Sequence, residues 1–276
     1  MILVIDAINR HQHEAIVEDM FRLRARVFAQ RLDWDVKIEN DMEIDEFDAL
    51  DPVYLVGLDE NANVVSCIRL LQTTGPHMLA DVFSDILQGE APLRAATMWE
   101  STRFCVDTER LTTADRGQGS VARATSELMS ATLQYARDCG ISDIITVIDP
   151  VMNRVLKRSD NAPYGYVGET VQMGKTKAMA ALLDCTDERI ERVRAFAGIE
   201  GDVFVDEAAL IAQRETVNTP TETTAEALAQ YFIDQIDSAA SVDELRAALE
   251  IAEAVLGSPK LGRQLVGNTN ASSEQV

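Results

Sequence analysis

Hydrophobic and polar positions change period several times along the chain, and each change marks an element. Met1–Asp6 is short and apolar, the pattern of a first strand. From about residue 12 to residue 30, Ile16, Val17, Met20, Phe21, Leu23, Val27 and Phe28 recur at helical spacing. Residues 32–51 lose the period and are crowded with acid, which reads as a loop. Two apolar runs, 53–58 and 63–72, flank Asp59-Glu60-Asn61-Ala62, so a β-hairpin is expected there. A short helix near 80–87 and a strand over 97–106 follow. Asp115 is placed to cap a long helix at about 118–139, which Gly140 closes. Residues 143–149 form an apolar strand ended by Pro150, and a short helix fills 150–158. Residues 164–172 and 175–183 read as a last strand pair around Gly174.

This order predicts an α/β fold over residues 1–215, a GNAT-like acyltransferase three-layer sandwich with a mixed sheet and helices on both faces. It does not suit a dinucleotide fold, because no Gly-x-Gly-x-x-Gly follows an early strand. Beyond residue 184 the chain turns helical and acidic. Thr219-Pro220-Thr221-Glu222 and Ser241-Val242-Asp243-Glu244 are capping boxes ahead of two apolar stripes. They predict a C-terminal α-helical hairpin extension at 216–257, a candidate homodimer interface. Residues 258–276 have the composition of a disordered tail.

Composition narrows the partners. The chain has 276 residues and a net charge of −21, which disfavours nucleic acid and anionic membrane surfaces. The charge is uneven: residues 1–100 carry −11, residues 101–184 are neutral, and residues 185–276 carry −10. The middle third is therefore where an anionic ligand meets least repulsion. No apolar run approaches the roughly 20 residues that span a bilayer, and the start lacks the basic region of a signal peptide. The cytoplasm is the expected compartment. Cys67, Cys105, Cys139 and Cys185 are scattered and read as single buried thiols, and the three histidines make no metal set. No metal or cofactor is expected.

Several residues could carry chemistry. Arg24 and Phe28 share a helix face, with Trp34 close behind; the arginine either snorkels or serves a site. Asp45 and Asp48 stand in the acidic segment, either as a solvated loop or as carboxylates for a cationic ligand. Arg69 lies in an otherwise apolar strand, and a half-buried charge needs a partner or a ligand. On the strand at 97–106, alternation puts Glu100, Thr102 and Phe104 on one face and Arg103 on the other. An ordinary cross-strand ion pair and a catalytic role both fit Glu100. Arg116-Gly117-Gln118-Gly119-Ser120 opens the long helix and suits a phosphate. It partly matches the pyrophosphate loop of acetyltransferases, with Val121 in the last place.

Together these residues resemble the acyl-homoserine-lactone (autoinducer) synthase family over about residues 1–184. Arg24, Phe28, Trp34, Asp45, Asp48, Arg69, Glu100 and Arg103 fall at that family's eight signature places. Trp99-Glu100-Ser101-Thr102-Arg103-Phe104 and Leu156-Lys157-Arg158-Ser159 are characteristic segments. The helical extension beyond residue 215 departs from the family pattern.

The resemblance implies an acyl transfer from a carrier thioester to the amine of S-adenosylmethionine, a substrate and not a cofactor. Lactone closure then releases methylthioadenosine, and the product is a quorum-sensing signal. The resemblance makes Glu100 the candidate base, with Arg103 beside it. Arg24, Phe28, Trp34, Asp45, Asp48, Arg69 and Phe104 become candidates for the S-adenosylmethionine site. Leu128, Met129, Thr146, Ile148, Met152 and Leu156 are candidates for the acyl-chain pocket. Arg116, Gly119, Arg154, Lys157, Arg158, Lys175 and Lys177 are candidates for docking acyl carrier protein, which family grounds favour, or for the phosphates of coenzyme A. The alternative is a GNAT-type N-acyltransferase that uses acyl-CoA and another small amine and makes no lactone.

Overall fold

A computed structural model describes residues 1–111, 117–206 and 246, with the backbone alone at 117–120. The elements in order are strand β1 (Ile2–Ile5), helix α1 (Glu14–Ala25), the short strands β2 (Ile38–Glu39) and β3 (Met42–Glu43), then β4 (Val53–Leu58) and β5 (Val64–Gln72). Helix α2 (Met78–Asp81), strand β6 (Met98–Val106), helix α3 (Thr108–Leu111) and the long helix α4 (Gly117–Asp138) follow. Strand β7 (Asp143–Ile148), helix α5 (Pro150–Arg158), strands β8 (Gly165–Met173) and β9 (Thr176–Asp184) and helix α6 (Asp187–Ala197) complete the series.

Seven strands form one sheet in the order β1-β4-β5-β6-β7-β9-β8. Every neighbour is antiparallel except β6 and β7. This is the expected mixed sheet, with helices on both faces. Ile68, Leu70, Ile144 and Ile148 face Leu128, Met129, Leu133, Leu156, Ile190 and Val193, so α4, α5 and α6 cover one face. Tyr54 and Arg69 point to the opposite face, where Phe21 of α1 meets the Tyr54 ring edge-on at 6.1 Å. The parallel pairing of β6 with β7 runs only from Met98↔Asp143 to Ser101↔Thr146. Past that point the two strands are no longer paired, which opens a cleft in the middle of the sheet.

Local chemistry explains the ends. Gly140 closes α4 at φ +79, as expected from sequence. Asp149 caps α5 by accepting from the Met152 N–H at 2.6 Å, with Pro150 at the first helical position.

Three segments depart from the sequence expectations. The first helix ends at Ala25 and continues as a wide turn over Arg26–Arg31, where the Leu32 N–H reaches back to the Val27 carbonyl. The acidic segment is ordered. Asn40 and Asp41, both at positive φ, turn β2 into β3. Asp45 and Asp48 then cap the short 3-10 turn Glu46–Ala49 reciprocally. The helix expected at 80–87 is split into α2 and a 3-10 turn at Ser84–Leu87. The expected cap Asp115, the hairpin at 216–257 and the tail at 258–276 lie outside the described residues.

Candidate active site

The sheet face under α1 carries a closed ring of alternating charges. The Arg24 guanidinium forks onto Asp48 at 2.8 and 2.8 Å, and its Nε donates to Glu43 at 2.5 Å. Asp48 also accepts from Arg69 Nη1 at 2.7 Å. Arg69 donates to both oxygens of Asp45, at 2.5 and 2.9 Å. Asp45 accepts from Arg103 Nη2 at 2.6 Å, and Arg103 returns to Glu43 at 2.9 Å. Three arginines and three carboxylates thus neutralise one another, each touching two of the opposite sign. The side chains of Arg24 and Arg69 are 0% exposed, while that of Arg103 is 12% exposed. Buried charges persist only with such complete pairing.

Bridging shifts the acids. Burial alone would raise the Asp48 carboxyl, but the Arg24 fork and Arg69 outweigh it and hold it below the usual carboxylate range. The Tyr54 hydroxyl donates to Asp48 at 2.7 Å; burial and that carboxylate push the phenol up.

Aromatic rings cover the ring's exposed corner. Phe28 and Trp34 stack with centroids 5.3 Å apart and an interplanar angle of 12°. The Arg103 guanidinium lies 5.6 Å from the Phe28 centroid, on the cation–π contact distance. Trp34 remains 43% exposed, which is unusual for so large an apolar ring. A cavity of about 430 Å³ opens beside this corner, lined among others by Asp35, Lys37, Glu43, Asp45, Met78 and Arg103.

Glu100 sits on the same sheet face, fully buried. Its two oxygens accept from the Met78 and Leu79 N–H groups at 2.6 and 2.7 Å. Burial pushes its carboxyl up to about 7, and those two amides only partly offset the effect. Met78 ties Glu100 to the ring, because its thioether also lies 3.3 Å from both Arg69 Nη2 and Arg103 Nη1.

Two placements correct the alternation drawn from the sequence. Arg103 has φ 56, and the pairing of β5 with β6 skips from Cys67↔Cys105 to Arg69↔Thr102. The resulting bulge turns Arg103 onto the face of Glu100 and Thr102. Phe104 is sent the opposite way and packs in the clusters under α4, away from the ring. It therefore lies with the candidate acyl-chain residues and not with the charged cluster where the sequence placed it.

The structure brings the acyl-chain candidates together. Met129, Ile148, Met152 and Leu156 share one apolar cluster with Trp99, Phe104 and Met179. Leu128 lies in the neighbouring cluster, which the same Trp99 and Phe104 also border. Thr146 donates its hydroxyl to the Ser101 carbonyl at 3.0 Å, where the β6–β7 pairing stops.

The basic candidates are more dispersed. Arg154, Lys157 and Arg158 are exposed on α5, with the Lys157 ammonium 6.0 Å from the Tyr166 ring centroid. Lys175, at the β8–β9 turn, is ion-paired to Asp33. Lys177 is exposed on β9. Arg116 lies outside the described residues, and Gly119 is described only as backbone of α4.

Glu43 was missed from sequence, and so were Tyr54 and Met78. Glu43 is hidden among the other acids of residues 32–51. Charge counting could have found it, since three arginines in apolar surroundings exceed two aspartates by one positive charge. Among the described residues no group of three His, Cys, Asp or Glu could hold a metal ion, and no helix is long and apolar enough to cross a membrane.

The model of the autoinducer synthase family matches residues 8–193. An acyl-homoserine-lactone synthase of Agrobacterium fabrum is 34% identical over 192 residues, covering 70% of this chain and 90% of that protein. The solved structure of MesI, a CoA-dependent acyl-homoserine lactone synthase, is 27% identical with a TM-score of 0.65, covering 75% of this chain and 100% of that one. The acyl-homoserine-lactone synthase LasI is 26% identical with a TM-score of 0.61, covering 71% of this chain and 94% of that one. The chain belongs to the autoinducer synthase family.

Proposed function

We propose that this chain, an acyl-homoserine-lactone synthase, binds S-adenosylmethionine in the cavity beside Arg103 and acylates its amine. The observation that carries the site is the sign of its lining. Outside the neutral ring, three carboxylates (Asp35, Glu39, Glu46) face one cation (Lys37), so the lining is net negative. Such a lining attracts a substrate that carries both a sulfonium and an ammonium. Among the described residues Arg103 Nη1 meets only the Met78 thioether, a weak acceptor, so it is the donor best placed to take the methionine carboxylate. Phe28 packs on the Arg103 guanidinium and Trp34 stacks on Phe28, so the pair shields the back of Arg103 from water. Glu43, Asp45 and Asp48 hold the arginines in place.

The reaction has two steps. The α-ammonium gives a proton to Glu100, directly or through a water, and a group titrating near neutrality suits that role. The freed amine attacks the thioester carbonyl, a backbone N–H at the β6–β7 cleft steadies the oxyanion, and the carrier thiol leaves. The methionine carboxylate then displaces the sulfonium at Cγ, closing the lactone and releasing methylthioadenosine. The acyl chain runs from the cleft into the cluster of Met129, Ile148, Met152 and Leu156.

For the acyl donor we favour acyl carrier protein, an acidic partner for Arg154, Lys157 and Arg158. Coenzyme A is the second reading, because MesI is CoA-dependent. The deciding experiment incubates purified chain with S-adenosylmethionine and either acylated acyl carrier protein or acyl-CoA. Mass spectrometry then measures lactone and methylthioadenosine in equal amounts. Amide formation without methylthioadenosine would instead support a plain N-acyltransferase.

A further inference from the structure

Two thiols that this chemistry does not use are in contact. Cys67 on β5 and Cys105 on β6 face each other directly in antiparallel register. Their sulfurs are 3.3 Å apart, and the residues are 1% and 2% exposed. Directly opposed strand residues have Cα atoms about 4.5–5.5 Å apart, inside the roughly 4.4–6.8 Å window of a disulfide. Closing the sulfurs to about 2.05 Å needs side-chain rotation and little backbone movement. Cys139 is exposed, and Cys185 is buried away from this pair.

We propose that Cys67 and Cys105 are a reversible oxidation site, at which a peroxide converts the two thiols into one intramolecular disulfide. One sulfur attacks a peroxide oxygen, the O–O bond breaks, and a sulfenic acid and one water result. The second sulfur displaces the sulfenic oxygen as a second water and forms the S–S bond. Two thiols lose two electrons and two protons, and the peroxide takes them up. A thiol reductant reverses the step. Burial makes the first attack slower than at Cys139. The contact between the sulfurs then favours disulfide over further oxidation.

The site is coupled to the charged ring through the backbone. Cys67 Sγ lies 3.8 Å from the Arg103 carbonyl, and the β5–β6 pairing skips immediately after Cys67. That skip is what aims Arg103 at Glu43 and Asp45. A cross-link next to it pulls on the bulge and misaligns the guanidinium.

The test treats the folded full chain with hydrogen peroxide, alkylates it after unfolding, and maps the peptides. The expected result is a peptide carrying Cys67 linked to one carrying Cys105, released by dithiothreitol. Synthesis falls in step with the linked fraction and returns on reduction. Cys105→Ala keeps its activity under the same peroxide dose. If Cys67 and Cys105 are both alkylated while Cys139 is oxidised, the site is overturned. A linked protein with unchanged activity overturns the coupling to Arg103. The peptide map of the wild-type chain needs no activity, so it decides even where Cys105→Ala folds poorly or the lactone reading fails.

Discussion

Arg103 donates to Glu43 through Nη2 at 2.9 Å and through Nε at 3.1 Å, and this contact closes the ring of charges. It joins the bulge of β6 to the end of β3, and the Glu43 side chain is only 1% exposed. Neither partner works alone, because removing one leaves the other buried and unbalanced.

Glu43→Gln therefore leaves an uncompensated positive charge in the ring. Loss of one partner of a buried pair costs about 3–5 kcal/mol, so thermal denaturation should show a lower Tm. In the fraction that stays folded, the KM for S-adenosylmethionine rises while the KM for the acyl donor does not. Wild-type stability and KM in this variant would show that the ring does not depend on Glu43.

Glu100→Gln removes the proposed base and lowers kcat by roughly 10²–10⁴-fold. The wild-type rate rises with pH through about 7, where Glu100 ionises, and the variant lacks that limb. Steady-state rates across pH, with circular dichroism to confirm the fold, check this.

Glu100 and Asp48 set opposite slopes in stability. The Glu100 pKa is raised by folding, so its contribution is fully present below its ordinary value of 4.5 and is lost as pH rises through about 7. The Asp48 pKa is lowered, so its contribution is present above its ordinary value of 3.8 and is lost as pH falls below it. Urea midpoints measured across pH should separate them: Glu100→Gln flattens the near-neutral window and leaves the acid limb in place.

Phe104→Ala tests the placement that the bulge reverses. With Phe104 among the residues under α4, its loss raises the KM for the acyl donor and alters chain-length preference. The KM for S-adenosylmethionine stays at the wild-type value. A change confined to S-adenosylmethionine would put Phe104 back beside the ring.

Reversing charge on α5, by Arg154→Glu with Lys157→Glu, tests the carrier. The KM for acyl carrier protein rises and its salt dependence shrinks, while Tm is unchanged because both side chains are exposed. An unaltered KM would move docking elsewhere.

Much of the fold was legible along the chain because periodicity reports local structure. The hairpin of β4 and β5, the long helix α4 with its Gly140 terminator, and the Pro150 helix all follow from spacing and capping residues close in sequence. The family was legible for a related reason. Arg24, Asp45, Asp48, Arg69 and Arg103 build one charged cluster, and their joint spacing along the chain is what carries the resemblance. Tertiary structure alone decided the direction of Arg103 and Phe104. A bulge is a relation between two strands, and strict alternation within β6 cannot reveal it. Tertiary structure also singled out Glu43 from a crowd of acids, because only burial between Arg24 and Arg103 distinguishes it from its solvated neighbours. The contact of Cys67 with Cys105 has the same origin: register across the sheet, set by pairing between strands far apart in the chain, brings together what sequence spacing leaves separate.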